Sequence, residues 1–313
     1  MITAKTVLVL GAGASVPFGF PTGKELVDDI ISNLENPPPY GWHYFLSEID
    51  ITDGLLINNF TSRLKRANIS SIDRFISLNP EFQFIGKACI AISLMLREKE
   101  EMLFNRKNKD DWYFYLYNNL IPPSLDDFKK NEIAIITFNY DRSIDHYLHT
   151  SIKNTFGIDD QHAGRILSLI PIYHVFGKLS SLPWQGAFPR TYNNNIDRPT
   201  LSSAMNTILT MSEANESDYL KLLHNYLISA ERIYFIGCGY HEENMELLDF
   251  HIIKELQIPK KTITGTSVGI GTARKLELRS NWKIKFPKKI CTSITSFLEE
   301  CGSFAKSIPF SLQ

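Results

Sequence analysis

Three short clusters hold the residue types and spacings with which this chain could do chemistry. Thr6 to Ser15 reads Thr-Val-Leu-Val-Leu-Gly-Ala-Gly-Ala-Ser, a β-branched apolar run that breaks into a glycine turn. Such a junction offers backbone N–H groups to a phosphate. Gly11 permits the tight turn, Gly13 has no Cβ to hold a pyrophosphate away, and a helix expected from near Lys24 adds the positive end of its dipole. A nucleotide-type ligand is the expectation. The full Gly-x-Gly-x-x-Gly fingerprint would need glycine where Val16 stands, which argues against an ordinary Rossmann dehydrogenase.

The second cluster is Thr137-Phe138-Asn139-Tyr140-Asp141, between an expected strand and an expected helix, where open α/β sheets bind ligands. The Asn139 amide both donates and accepts, which suits a ribose hydroxyl or a water. The alternative is structural: Asp141 caps a helix starting at Arg142 and Asn139 makes an Asx-turn. His174, in the third cluster, closes another strand, and Gly177 permits a turn beside a ligand. It is either a general base or a hydrogen-bonded structural residue. Gly237-Cys238-Gly239 forms a second strand-glycine-helix junction, able to touch ribose or phosphates. Thr264 to Thr272 is either a cradle for an adenosine half or a plain flexible turn.

The elements that must position these residues follow from apolar spacing. Strands are expected at 6–10, Glu132 to Thr137, Leu169 to Val175, Arg232 to Gly237, Lys261 to Gly265 and Trp282 to Phe286. Helices are expected at Lys24 to Leu34, Leu55 to Lys65, Ile72 to Leu78, Phe82 to Phe104 and Trp112 to Leu120, then at Arg142 to Lys153, Glu216 to Ser229, Asn244 to Leu256 and Thr292 to Glu300. This alternation is that of an α/β protein with a doubly wound, mainly parallel, Rossmann-like sheet. The helical block over 24–130 reads as an insertion after strand 1 within a single domain over 1–313. Residues 181–215, rich in proline and asparagine, read as a mobile surface loop.

Of the 313 residues, 43% are hydrophobic and 21% charged, with 33 basic against 34 acidic side chains and a net charge of −1. That balance supplies no global field for nucleic acid or an anionic membrane. The longest apolar run, Phe82 to Leu96, is interrupted by Gln83 and Lys87, so a cytoplasmic protein is expected. Cys89, Cys238, Cys291 and Cys301 lack a Cys-x-x-Cys pair, and no metal is expected. His146 and His149 are expected as surface or partly buried residues. There is no Gly-x-Ser-x-Gly elbow and no Walker loop.

Taken in order, Gly11-Ala-Gly13-Ala-Ser15, Thr137-Phe-Asn139-Tyr-Asp141, His174 and Gly237-Cys-Gly239 resemble the sirtuin fold family, in particular its bacterial NAD-cleaving branch of anti-phage defence. The resemblance implies that Gly11, Ala12, Gly13 and Ser15 line the NAD pyrophosphate and ribose, that Thr137, Asn139 and Asp141 lie near the nicotinamide ribose, and that Gly177, Gly237 and Gly239 complete the site. His174 would be the base. Ser71-Ile72-Asp73 and Asp111-Trp112-Tyr113 look like helical-insert motifs of the same proteins, with no catalytic role attached.

The chain departs from sirtuin deacylases in having Phe138 where they carry Gln and in lacking their four-cysteine zinc module, which argues against an acyl-lysine substrate. Sirtuin-like sequences commonly place His directly before the glycine; here Phe176 stands there. Either His174 is a displaced equivalent or the base is missing. The expected activity is hydrolysis of NAD to nicotinamide and ADP-ribose, the toxic step of abortive infection; the alternative is a non-catalytic NAD or ADP-ribose sensor. The resemblance further implies a homo-oligomer and, in some systems, a HerA-type ATPase partner.

Overall fold

The computed structural model describes residues 1–35, 42–186, 189–215, 220–249, 261–287, 289 and 291–302. Five strands, β1 (Thr6–Leu10), β2 (Ile133–Thr137), β3 (Ile172–His174), β4 (Arg232–Ile236) and β5 (Thr262–Gly265), form an all-parallel sheet in the order β3-β2-β1-β4-β5. Every residue of β1 and β2 is buried, which explains why both read as continuous apolar runs instead of alternating. The chain builds outward from β1 to β2 and β3, then crosses to β4 and β5 on the other side. That reversal leaves a crevice at the carboxyl ends of β1 and β4, the topological switch point.

Between β1 and β2 the described residues contain α1 (Gly23–Glu35), α2 (Trp42–Glu48), α3 (Gly54–Ala67), α4 (Ile72–Leu78), α5 (Gln83–Met95), α6 (Glu100–Leu103) and α7 (Trp112–Leu120). Asp53, Ser71 and Asp111 accept from backbone N–H groups in the first turns of α3, α4 and α7, fixing where each begins. α5 is buried from Ile85 to Met95 apart from Lys87, because α1, α2, α4 and the later helix Arg198–Thr207 pack around it. The expected helix Phe82 to Phe104 is broken at Leu96, where the chain turns so that Glu98 enters the interior. No helix among the described residues is long and apolar enough to cross a membrane.

After β2 come α8 (Ser143–Phe156), α9 (Asp160–Leu167), α10 (Arg198–Thr207), α11 (Met211–Asn215), α12 (Leu220–Ser229) and α13 (Glu242–Leu247), followed by helices Thr272–Trp282 and Ile294–Glu300. The expected surface loop over 181–215 is therefore corrected. Asp197 and Thr200 form a capping box that starts α10, Leu201 and Ala204 are buried, and Arg142 Nη1 donates to the Ser181 and Arg190 carbonyls. The expected strand Trp282 to Phe286 is corrected too. Leu278 and Trp282, four apart, are the buried residues of a helix that ends at left-handed Lys283, and only Lys285 bridges to Thr264. The expected starts at Glu216 and the stretch from 250 to Leu256 lie outside the described residues.

Candidate functional site

A cavity of about 830 Å³ lies at the switch point, with walls supplied by the segments that follow all five strands. Gly11, Ala12 and Gly13 line it from β1, Asn139 from β2, Phe176 from β3, Gly237 and Gly239 from β4. Thr266 and Ser267 follow β5, so the hydroxyl-rich third junction also reaches the cavity. This volume falls within the range of small-molecule sites.

The two glycine junctions pack on each other. Gly11 N donates to the Ile236 carbonyl at 2.9 Å and Gly13 N to the Gly237 carbonyl at 3.0 Å. A Cβ on Gly11 or Gly13 would stand 2.7 or 2.9 Å from that Gly237 oxygen, while Gly237 has φ +63° and a Cβ there would run into the Ala14 amide. These glycines are thus required by backbone contact before any ligand arrives. Ala14 and Ser15 donate back to the Gly11 and Ala12 carbonyls. Among described residues of the turn, the Ala12 N–H alone has no protein acceptor. Two further N–H groups open on the cavity at the start of α1: Thr22 and Glu25 exchange bonds, which leaves Gly23 and Lys24 unmatched at the positive end of the helix.

Asn139 ties the switch point together. Its Nδ2 donates at 3.0 Å to both the Gly11 carbonyl and Ser15 Oγ. The Gly11 oxygen only accepts, which fixes the amide orientation. No donor among the described residues meets Oδ1. The Asx-turn weighed as the alternative for Asn139 is replaced by this bond across 128 residues, and the local turn is made instead by Thr137 Oγ1 accepting from Asn139 N at 3.0 Å. Trp112 Nε1 braces the same glycine turn through the Ala14 carbonyl at 2.8 Å.

Thr137 and Asp141 are buried and do not line the cavity, nor does Ser15. Asp141 accepts from Ser143 N at 3.1 Å and from the Ser143 hydroxyl, which makes it the starter of α8. Burial raises its carboxyl above the usual value, against hydrogen bonds from Ser143 and Ser15.

His174 also lies outside the cavity lining. Its Nδ1 meets the Asn139 carbonyl and its Nε2 meets Asp145 Oδ2, both at 2.9 Å. Both ring nitrogens are thus engaged by groups inside the protein, and neither belongs to the cavity lining. Asp145 also accepts from Lys178 Nζ and Gln185 Nε2. Burial would raise the Asp145 carboxyl, but Lys178 and His174 outweigh it and hold the group well below the usual carboxylate range. Gly177 is likewise away from the cavity. At φ +69° its close neighbour is the Thr207 carbonyl at the end of α10.

Phe176 lines the cavity, its ring 5.8 Å from that of Phe138 and 6.2 Å from that of Tyr140. Asp73, Arg74 and His241 line it too, and the motif reading missed all three as site residues. The signal for Asp73 was the Ser71-Ile72-Asp73 motif, which explains itself locally as a helix start. His146 and His149 are stacked, on Tyr192 at 4.4 Å and on Trp184 at 3.3 Å. Among described residues there is no group of three or more His, Cys, Asp or Glu side chains able to hold a metal ion.

Fold and site together define an α/β protein of Rossmann-like architecture with a cavity at its switch point. The sequence matches no protein-family model and no curated protein.

Proposed function

We propose that the cavity binds NAD and that the protein hydrolyses the nicotinamide–ribose bond, giving nicotinamide and ADP-ribose. The observation that carries this reading is Asn139: it is fastened to the glycine turn through Nδ2 and leaves Oδ1 free on a cavity-lining residue. The Ala12 N–H and the start of α1, with Lys24, suit a pyrophosphate. Thr266 and Ser267 suit the hydroxyls of the adenosine half. Cleavage passes through an oxocarbenium-like state, which an oriented acceptor and a dry wall stabilise more than a metal does. Asn139 Oδ1 orients the ribose hydroxyls, and Phe138, Phe176 and Met211 exclude water. His174 acts as a positioning residue through its bond to the Asn139 carbonyl. The resemblance to the bacterial sirtuin-like branch supports the same reading, and with it a role as a homo-oligomeric anti-phage effector, in some settings beside a HerA-type ATPase.

Incubation of the purified, assembled protein with NAD is expected to release nicotinamide, and Asn139→Ala is expected to abolish release while retaining a cooperative melt. Equal activity in N139A would remove the residue from the mechanism. The engagement of both His174 nitrogens favours a second reading, a sensor that binds NAD or ADP-ribose without cleaving it. Saturable NAD binding with no nicotinamide formed would establish that one.

A further inference from the structure

With His174 turned into the protein, the cavity needs another group to take a proton from water. Three acidic residues line it among those described: Asp73, Asp110 and Glu243. Asp110 is occupied at the start of helix Ile294–Glu300, accepting from Ile294 N and Thr295 N at 2.9 Å and from Thr295 Oγ1 at 3.0 Å. Glu243 is paired with Arg74 at 3.2 Å. Asp73 has no ion pair among the described residues. Its Oδ1 accepts from the Tyr140 hydroxyl, and the carboxylate also meets its own backbone N–H and, at 3.5 Å through Oδ2, Ser71 Oγ.

Asp73 is tied through Tyr140 to the segment that carries Asn139. Tyr140 follows Asn139 in sequence, and its hydroxyl also reaches the Leu209 carbonyl at 3.4 Å. Leu209 N in turn donates to the Phe176 carbonyl at 2.8 Å, and α11 packs on α4. Asp73, Asn139, Phe138, Phe176 and Met211 all line the cavity, and these contacts link the segments that carry them.

We propose that Asp73 is the base that accepts the proton of the attacking water, an inference that rests on the cavity being an NAD site. In the step, the bond from ribose C1′ to the nicotinamide nitrogen breaks and its electron pair discharges the pyridinium. The water oxygen bonds to C1′, and its proton passes to the Asp73 carboxylate and then to solvent. Nothing is oxidised or reduced. Burial raises the Asp73 carboxyl above its ordinary value, against hydrogen bonds from Tyr140, its own backbone N–H and Ser71 and the nearby charge of His241.

The test compares full-length wild type, Asp73→Asn and Tyr140→Phe for nicotinamide release and NAD binding, with and without azide, a nucleophile that needs no proton removed. D73N is expected to lower kcat by roughly 10²–10⁴-fold with NAD affinity little changed. Azide is expected to restore release in D73N and to yield azido-ADP-ribose, while Y140F keeps most of the wild-type kcat. A D73N kcat close to wild type overturns the proposal. So does a slow D73N that azide does not rescue, because that marks a structural role. Should D73N fail to melt cooperatively, Asp73→Ser is read the same way: rescue by azide supports the base, and its absence overturns it. Wild type that binds no NAD, or binds it without cleavage, overturns the hydrolase reading itself and this inference with it, an outcome distinct from loss in D73N alone.

Discussion

Two polar clusters lie beyond the carboxyl ends of the strands, and they differ in how completely the protein satisfies them. In the first, at the start of α8, Glu98, Arg142, Asp145 and His174 have every side-chain nitrogen and oxygen engaged, and among the cluster's described side chains Arg190 Nε is the atom left without a partner. Glu98 accepts from Arg142 Nε at 2.9 Å, from Arg142 Nη2 at 2.6 Å and from Arg190 Nη2, and the Glu98 and Arg142 side chains are 0% exposed. In the second, around the cavity, Asn139 Oδ1, the N–H groups of Ala12, Gly23 and Lys24, and Asp73 Oδ2 keep capacity that the described residues do not use. Polar groups whose partners are all internal hold the chain in place. Groups left unmatched over a cavity are where a ligand can gain energy without first breaking the fold.

The sharpest way to break this contrast is at Glu98. Glu98→Ala strands two buried guanidinium groups, and breaking such a cluster costs about 4 kcal/mol or more, read by urea unfolding. A loss below about 1 kcal/mol would show that water reaches the arginines and that the cluster is not internally satisfied.

Asp145→Asn comes next, at about 3 kcal/mol near pH 7, because it removes the charge facing Lys178 and His174 while its own site stays buried. The folded-state carboxyl is held below its unfolded value of about 3.9, so its contribution is complete above that pH and is lost as pH falls through the folded value. The stability gap between wild type and D145N should therefore narrow in acid. A gap that widened as pH fell would contradict the pairing.

Asn139 belongs to both clusters: its backbone carbonyl is held by His174, and its side chain faces the cavity. Asn139→Ala removes two Nδ2 bonds and should cost about 1–2 kcal/mol in thermal or urea unfolding, far less than its effect on nicotinamide release. A loss of stability comparable to E98A would make Asn139 a structural residue first.

The same contrast explains what was legible in the sequence. β1, β2 and β4 were found because buried parallel strands are unbroken apolar runs, and α4 and α7 were bounded correctly because Ser71 and Asp111 cap them locally. The break after α5 was not legible, since Glu98 leaves the helix for Arg142, 44 residues on. Nor was α10: Asp197-Arg198-Pro199 fits a turn as well as it fits a capped first helical turn. At the site, Asn139 was signalled by its place after a strand. His174 carried the same local signal, but its role is decided by Asp145 on α8, and Asp73 is decided by Tyr140, 67 residues away. Spacing along the chain reports elements; it does not report which polar groups find each other.

The smallest effect on stability is expected at Asp73, and its sign differs from the others. Burial raises this carboxyl in the folded state, so its ionised form opposes folding and stability falls as pH rises through the folded value. Asn is close in shape and its Oδ1 still accepts from the Tyr140 hydroxyl. Asp73→Asn should therefore leave stability at pH 7 unchanged or raise it, by up to about 1 kcal/mol, while the catalytic assay falls steeply. The difference from wild type should shrink as pH drops and Asp73 takes up a proton. Urea unfolding of both proteins between neutral and acid pH measures this directly. A D73N protein clearly less stable than wild type at pH 7 would move Asp73 from the unmatched rim to the satisfied scaffold.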